Sequence, residues 1–146
     1  MIKMTELMAR LLTTSAADGV PALVGTVSKD GRPQISPKGS VNVYSDDTLC
    51  FWERSYRSVE KNLAENPRVV VYYRNQARSK EIPYASAAFR FHGVARIVKD
   101  GPERERAWAL TIPGEQQRDP EKKGYAVLIK VDLIEELSGN VIMKSD

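Results

Sequence analysis

Residues Arg32 to Tyr44, RPQISPKGSVNVY, alternate with a period of two. Ile35, Pro37, Gly39, Val41 and Val43 share one face, and Gln34, Ser36, Lys38, Ser40, Asn42 and Tyr44 share the other. The pattern predicts a strand with one face almost wholly polar. Pro37 sits inside it and removes a ladder donor. The Pro-Lys-Gly run then sets bare backbone beside a cation, a surface suited to a flat, polar, anionic ligand.

The surrounding sequence places this strand among others like it. Thr5 to Thr14 predicts a short amphipathic helix, with Leu7, Met8, Leu11 and Leu12 on one stripe and Thr5 as its cap. Ala22 to Ser28 predicts a strand, and Asp30-Gly31 marks a hairpin turn before the polar-faced strand. After a turn at Ser45-Asp46-Asp47 comes a strand over Thr48 to Glu53, then a helical pattern from Ser55 to Glu65 that Asn66-Pro67 stops. Arg68 to Tyr73 is a run of β-branched and aromatic residues, read as a central strand covered on both faces. Ala85 to Lys99 predicts a long strand with Ala87, Phe89, Phe91, Gly93, Ala95 and Ile97 inward. A helix over Glu103 to Leu110 and a last strand over Tyr125 to Leu133 follow. Strands in hairpin order with short helices between them predict a mostly β (α+β) fold, a six-stranded antiparallel split β-barrel with short flanking helices.

The 146 residues predict a single domain over the whole chain, large enough to bury a core without metal or disulfide. The net charge of +3 comes from interleaved bases and acids, which argues against nucleic acid as a partner. With no signal peptide and no apolar run long enough to span a bilayer, a cytoplasmic location is expected, with no membrane partner.

A second stretch carries chemistry. In Phe51 to Lys61, FWERSYRSVEK, a strand ending in aromatics runs into a helix start bearing Ser55, Arg57, Ser58 and Lys61. Free N–H groups and the positive end of the helix dipole, joined by hydroxyls and cations, make a phosphate site, although a capped helix with solvated charges has the same composition. The hairpin between the two stretches is expected to lay strand 33–44 beside strand 48–53. A polar slab with a phosphate end matches flavin mononucleotide better than a dinucleotide or a bare phosphate.

DGRPQISPKGSV, LCFWERSYRSVEKNLAENPRVVVYY and FRFHGVARIV, in that order, resemble the pyridoxamine 5′-phosphate oxidase-like flavoproteins, over roughly Leu7 to Val98. The resemblance implies a split barrel that binds FMN at a homodimer interface. By position it implies that Ser36, Pro37, Lys38, Gly39 and Ser40 run along the isoalloxazine ring and ribityl chain. It implies that Phe51, Trp52 and Glu53 lie beside the ring, and that Arg57, Ser58 and Lys61 hold the phosphate. Lys38 suits either the phosphate or the negative charge of reduced flavin. The oxidases themselves end in a basic, aromatic segment, whereas this chain ends IEELSGNVIMKSD, which argues against vitamin B6 oxidation. Three functions fit: an FMN-dependent oxidoreductase of unknown small-molecule substrate; a non-catalytic flavin-binding, electron-carrying or flavin-buffering protein; and a relative that takes a deazaflavin or haem.

The other conspicuous residues have plainer readings. His92, the single histidine, reads as structural and cannot make a multi-histidine metal site, so no metal is expected. Cys50 reads as a buried thiol. Trp108 reads as core or interface, and Trp52 as core or as a neighbour of the flavin. Glu103, Glu105, Glu115, Asp119 and Glu121 read as a solvated surface. Gly93 signals the close approach of another backbone or of a ligand. Segments 74–84 and 113–123 are both candidate lids.

Overall fold

Helix α1 spans Glu6–Thr13, and the Thr5 hydroxyl caps it by accepting the Met8 amide at 3.1 Å. Its stripe of Met8, Leu11 and Leu12 is buried, as the spacing predicts. The computed structural model describes residues 1–54 and 58–146. The strands are β1 (Ala22–Val27), β2 (Pro33–Lys38), β3 (Val41–Ser45), β4 (Thr48–Glu53), β5 (Arg68–Arg74), β6 (Ala88–Val98), β7 (Tyr125–Glu135) and β8 (Val141–Lys144). The helices after α1 are α2 (Ser58–Glu65), α3 (Pro102–Leu110) and α4 (Pro113–Gln116).

All strand pairs are antiparallel, in the order β2-β1-β5-β6-β7-β4-β3, with β8 added to β7. The two ends of this path, β2 and β3, are consecutive in sequence and joined by Gly39 and Ser40 alone. Three peptide steps span at most about 11 Å, so the sheet must curl until its ends nearly meet. The result is the split antiparallel barrel.

Among the described residues the sheet has eight strands rather than the expected six, for two reasons. The strand expected over 33–44 is two strands on opposite ends of the sheet. β2 pairs with β1, and only β3 lies beside β4, so the expected pairing of 33–44 with 48–53 holds for its second half alone. The tail folds back as β8, with Leu133 opposite Lys144.

The core fills the curl with Val24, Leu49, Phe51, Val71, Phe89, Phe91 and Ile129. The inward face of β6 is the predicted one, with Ala87, Phe89 and Phe91 at 2% exposure or less. A smaller cluster of Cys50, Trp52, Ala107, Ala126 and Leu128 lies under α3. Residues 49–53 of β4 are therefore buried on both faces. β5 was expected to be the doubly covered strand; instead Val69, Val71 and Tyr73 are buried while Val70 and Tyr72 are only half-buried. The outward row beside them includes Ile35, which is 70% exposed. No helix among the described residues is long and apolar enough to cross a membrane.

The close approach at Gly93 is to backbone. A Cβ there would overlap the Lys130 carbonyl and lie 2.8 Å from Ile129 Cγ2, where β6 shifts register against β7. Gly93→Ala is expected to cost about 1–3 kcal/mol, because a main-chain atom rather than a flexible side chain must yield. Urea unfolding checks this, and an unchanged midpoint would show that β7 moves aside freely.

Candidate functional site

Site geometry starts from which way β2 faces. Its polar residues Gln34, Ser36 and Lys38 are half-buried, while Pro33, Ile35 and Pro37 are exposed. At one end of the polar row the Gln34 amide donates to Ser58 Oγ, the first residue of α2, at 3.0 Å. At the other end Lys38 Nζ donates to Glu53 Oε2 at 2.7 Å. The Glu53 side chain is 3% exposed, and Lys38 also lies 5.4 Å from the centre of the Phe51 ring. A carboxylate this deep is tolerable because it is paired.

Lys38, Pro37, Gly39, Ser40, Phe51, Trp52 and Glu53 line one cleft of about 430 Å³, with Arg54, Thr111, Glu115 and Arg118 among its other walls. This volume is in the range of small-molecule sites. The structure thus brings together the predicted residues of β2, the link and β4. It does not bring Ser36, Ser58 or Lys61 into the cleft. Ser36 lies midway along the polar row, Ser58 at the row's far end, and Lys61 is exposed on α2, close enough to Asp30 to help hold that carboxyl low behind its hydrogen bond from Ser28. Arg57 and Ser55 lie outside the described residues.

Ser40 is buried, and its hydroxyl accepts the Ile112 amide at 2.9 Å and the Asn42 side-chain amide at 2.8 Å. Asn42 Oδ1 in turn accepts the Thr13 hydroxyl at 3.0 Å. Ser40 therefore ties the link to the ends of α1 and α3. Glu115 packs on Gly39 so closely that a Cβ there would lie 2.7 Å from its Oε1, and its Oε2 accepts from Arg54 Nε at 3.3 Å.

The late segment, not the middle one, walls the cleft: Thr111, Glu115 and Arg118 line it, and no residue of 74–84 does. Two of the acids expected on a solvated surface are placed otherwise. Glu115 is half-buried in the cleft wall, and Asp119 is 7% exposed. Asp119 accepts the Trp52 indole N–H at 2.8 Å and the amides of Lys123 and Gly124 at 2.9 and 2.8 Å. Sequence reasoning missed it because an acid between polar residues looks like any surface acid; the glycine five residues on, which lets the amide approach, was the available signal. Glu103, Glu105 and Glu121 do form surface ion pairs, with Arg96, Lys122 and Lys123. Trp52 packs edge-on to Trp108 at 4.7 Å, and the Arg104 guanidinium lies 4.8 Å from the Trp52 ring centre. Trp52 is thus a core residue that also shows a surface to the cleft.

His92 lies apart from the cleft, with Nε2 2.8 Å from Glu135 Oε1, which also accepts from Arg90 Nε at 2.9 Å. The hydrogen bond from His92, joined by Arg90, holds the Glu135 carboxyl below its ordinary value despite desolvation. Burial pushes the Cys50 thiol up to about 12, so it stays protonated near neutrality and is no nucleophile. Among the described residues no group of three or more His, Cys, Asp or Glu could hold a metal.

Residues 17–136 match the family model described as pyridoxamine 5′-phosphate oxidase. The chain belongs to this family. It is similar in structure to HupZ of Group A Streptococcus, at 24% identity, covering 98% of this chain and 99% of that one with a TM-score of 0.71. It is similar to a putative pyridoxamine 5′-phosphate oxidase from Lactobacillus delbrueckii at 18% identity, 91% and 93% coverage and a TM-score of 0.66. It is also similar to an FMN-binding protein from Syntrophomonas wolfei at 17% identity, covering 90% of each chain with a TM-score of 0.67. No curated protein matches the chain.

Burial pushes the Asp119 carboxyl up, but the hydrogen bonds from Trp52, Lys123 and Gly124, with Arg104 nearby, outweigh it and leave the carboxyl below its ordinary 3.8. A folded value below the unfolded one means that the folded state binds fewer protons in acid. The stability this group contributes is complete above about pH 4 and lost as pH falls through the folded value. Asp119→Asn is expected to cost about 1.5–3 kcal/mol near neutral pH. The gap to the wild type should narrow toward ~pH 3 in thermal unfolding; a gap independent of pH would show that the charge of Asp119 does not matter.

Proposed function

We propose that this chain binds FMN non-covalently as a homodimer and acts as an oxidoreductase on a small molecule. The observation that carries the reading is the inward polar row of β2. From Gln34, bonded to Ser58 at the start of α2, to Lys38 in the cleft is four residues of strand, about 13 Å. A phosphate at the helix start, a ribityl chain along Ser36 and a ring edge at the cleft fit that length in order. The FMN-binding protein from Syntrophomonas wolfei shares this fold and supports the same choice of cofactor.

In this reading Ser58 and Lys61, with Arg57, hold the phosphate, adding hydroxyl and cationic contacts to the amides of the helix start. Pro37, Gly39, Ser40, Phe51, Trp52 and Glu53 shape the ring end. Lys38 belongs to that end too, because the strand carries it away from α2, and its ammonium is positioned to meet negative charge at the ring's edge. Bound flavin supplies the ability to accept and pass on electrons, while the protein sets orientation and electrostatics. The homodimer is supported by the outward face of β2. Ile35, 70% exposed, borders a groove of about 390 Å³ with Val27, Pro33 and Val70, an apolar surface that a second copy would cover.

Purified protein titrated with FMN should develop a perturbed flavin absorbance and bind FMN more tightly than riboflavin. Arg57→Ala with Lys61→Ala should weaken FMN by about tenfold or more per lost charge-assisted contact, with little effect on riboflavin. Failure to bind FMN sinks the reading, and equal losses for both ligands put the phosphate elsewhere. Ile35→Lys should convert a dimer to a monomer in light scattering and lower FMN affinity with it; a monomeric wild type would remove the shared site.

A further inference from the structure

The charges lining the cleft do not balance. Lys38 is matched by Glu53 at 2.7 Å and Arg54 by Glu115 at 3.3 Å. Arg118 also lines the cleft, is exposed, and among the described residues has no ion pair and no side-chain hydrogen bond. The described cleft therefore carries one positive charge in excess. Arg54 gives Nε to Glu115, and among the described residues its terminal guanidinium nitrogens have no partner. Both residues line the same cleft as the ring end assigned to FMN.

Arg118 is also held in place by its neighbour. Asp119 is fastened to the core by the Trp52 indole and two backbone amides, so the main chain at Arg118 is fixed before any ligand arrives. A charged group on an anchored backbone loses less freedom on binding than one on a loose loop. A guanidinium group suits a planar anion that can accept two parallel hydrogen bonds.

We infer that Arg118 and Arg54 dock a small carboxylate on the late-segment side of the cleft. A monoanion neutralises the single excess charge of the described cleft residues, whereas a dianionic phosphate ester would exceed it. Identifying this carboxylate as the substrate rests on the flavin reading above; its binding does not. Arg118 thereby becomes the residue that selects carboxylates over neutral molecules of the same shape.

The test titrates the 146-residue chain, with and without added FMN, using benzoate, phenyl phosphate and neutral benzyl alcohol. Fluorescence of Trp52 and Trp108 reads binding in both states, and flavin absorbance reads it when FMN is present. Benzoate should bind saturably and benzyl alcohol should not. Arg118→Gln should weaken benzoate at least tenfold without lowering the unfolding temperature, and Arg118→Lys should recover part of the affinity. The inference is overturned by equal benzoate affinity in Arg118→Gln, by benzyl alcohol binding as well as benzoate, or by phenyl phosphate binding more tightly. It is also overturned if FMN competes with benzoate while riboflavin does not, since Arg118 would then serve the cofactor phosphate. If FMN does not bind but benzoate still depends on Arg118, the flavin reading falls and the carboxylate site stands. If FMN binds and benzoate ignores Arg118, the reverse holds.

Discussion

A two-residue link holds the two ends of the sheet together, and the site depends on it. β2 and β3 lie at opposite ends of a seven-strand path, yet only Gly39 and Ser40 separate them. The sheet cannot flatten without breaking that connection. Its curl encloses the core on one side and brings Lys38, at the end of β2, within hydrogen-bond distance of Glu53, at the end of β4, although the two strands do not pair. The link itself is fixed from outside the sheet. Ser40 accepts from Ile112, and the missing side chain at Gly39 leaves room for Glu115. The same two residues therefore close the barrel and form the floor of the cleft.

Segment 111–124 depends on this floor and on a second anchor. Asp119 is a buried acid that satisfies three donors, one on β4 and two in its own turn. Such a group is stabilising only while every partner is in place, because an orphaned buried carboxylate costs far more than a mispacked apolar side chain. The arrangement gives the segment a defined position with little apolar contact of its own, α4 having no buried residue. A wall made this way can carry polar side chains to the cleft that an apolar wall could not.

Much of this was legible in the sequence. The stripe and cap of α1, the Asp-Gly turn, the inward face of β6 and the close approach at Gly93 follow from periods, caps and glycine alone. The break at Gly39-Ser40 was not legible, because the alternation keeps its phase across it. Ile35 and Val41 share a parity, yet one is 70% exposed and the other fully buried, since the chain changes sheet ends between them. β5 misled for a related reason. A run of valines and tyrosines records that a strand is central, not that both faces are covered, and its second face is part of the groove beside Ile35. The residues of the site were visible as chemistry in β2 and β4. Segment 113–123 was visible only as one of two candidate lids, and the choice between them was not legible, since nothing local says that a polar loop will fold against a glycine some seventy residues earlier.

The distribution of charge in the cleft decides which cation a ligand feels. An isolated charge about 5 Å from an anion at an effective dielectric of 20 is worth about 3 kcal/mol before ionic screening. Lys38 does not act as an isolated charge. With Glu53 at 2.7 Å it forms a dipole, whose field falls off faster than that of a monopole, so its ammonium acts at hydrogen-bond range on the group directly above it. Arg54 is offset by Glu115 in the same manner at 3.3 Å. Arg118 has no ion pair among the described residues, so in the proposed reading it would supply the longer-range pull on an approaching anion. In the proposed reading, capture and orientation would fall to different residues: Arg118, on a main chain anchored by Asp119, would draw the anion to the cleft, and Lys38, paired with Glu53, would act on what lies against β2.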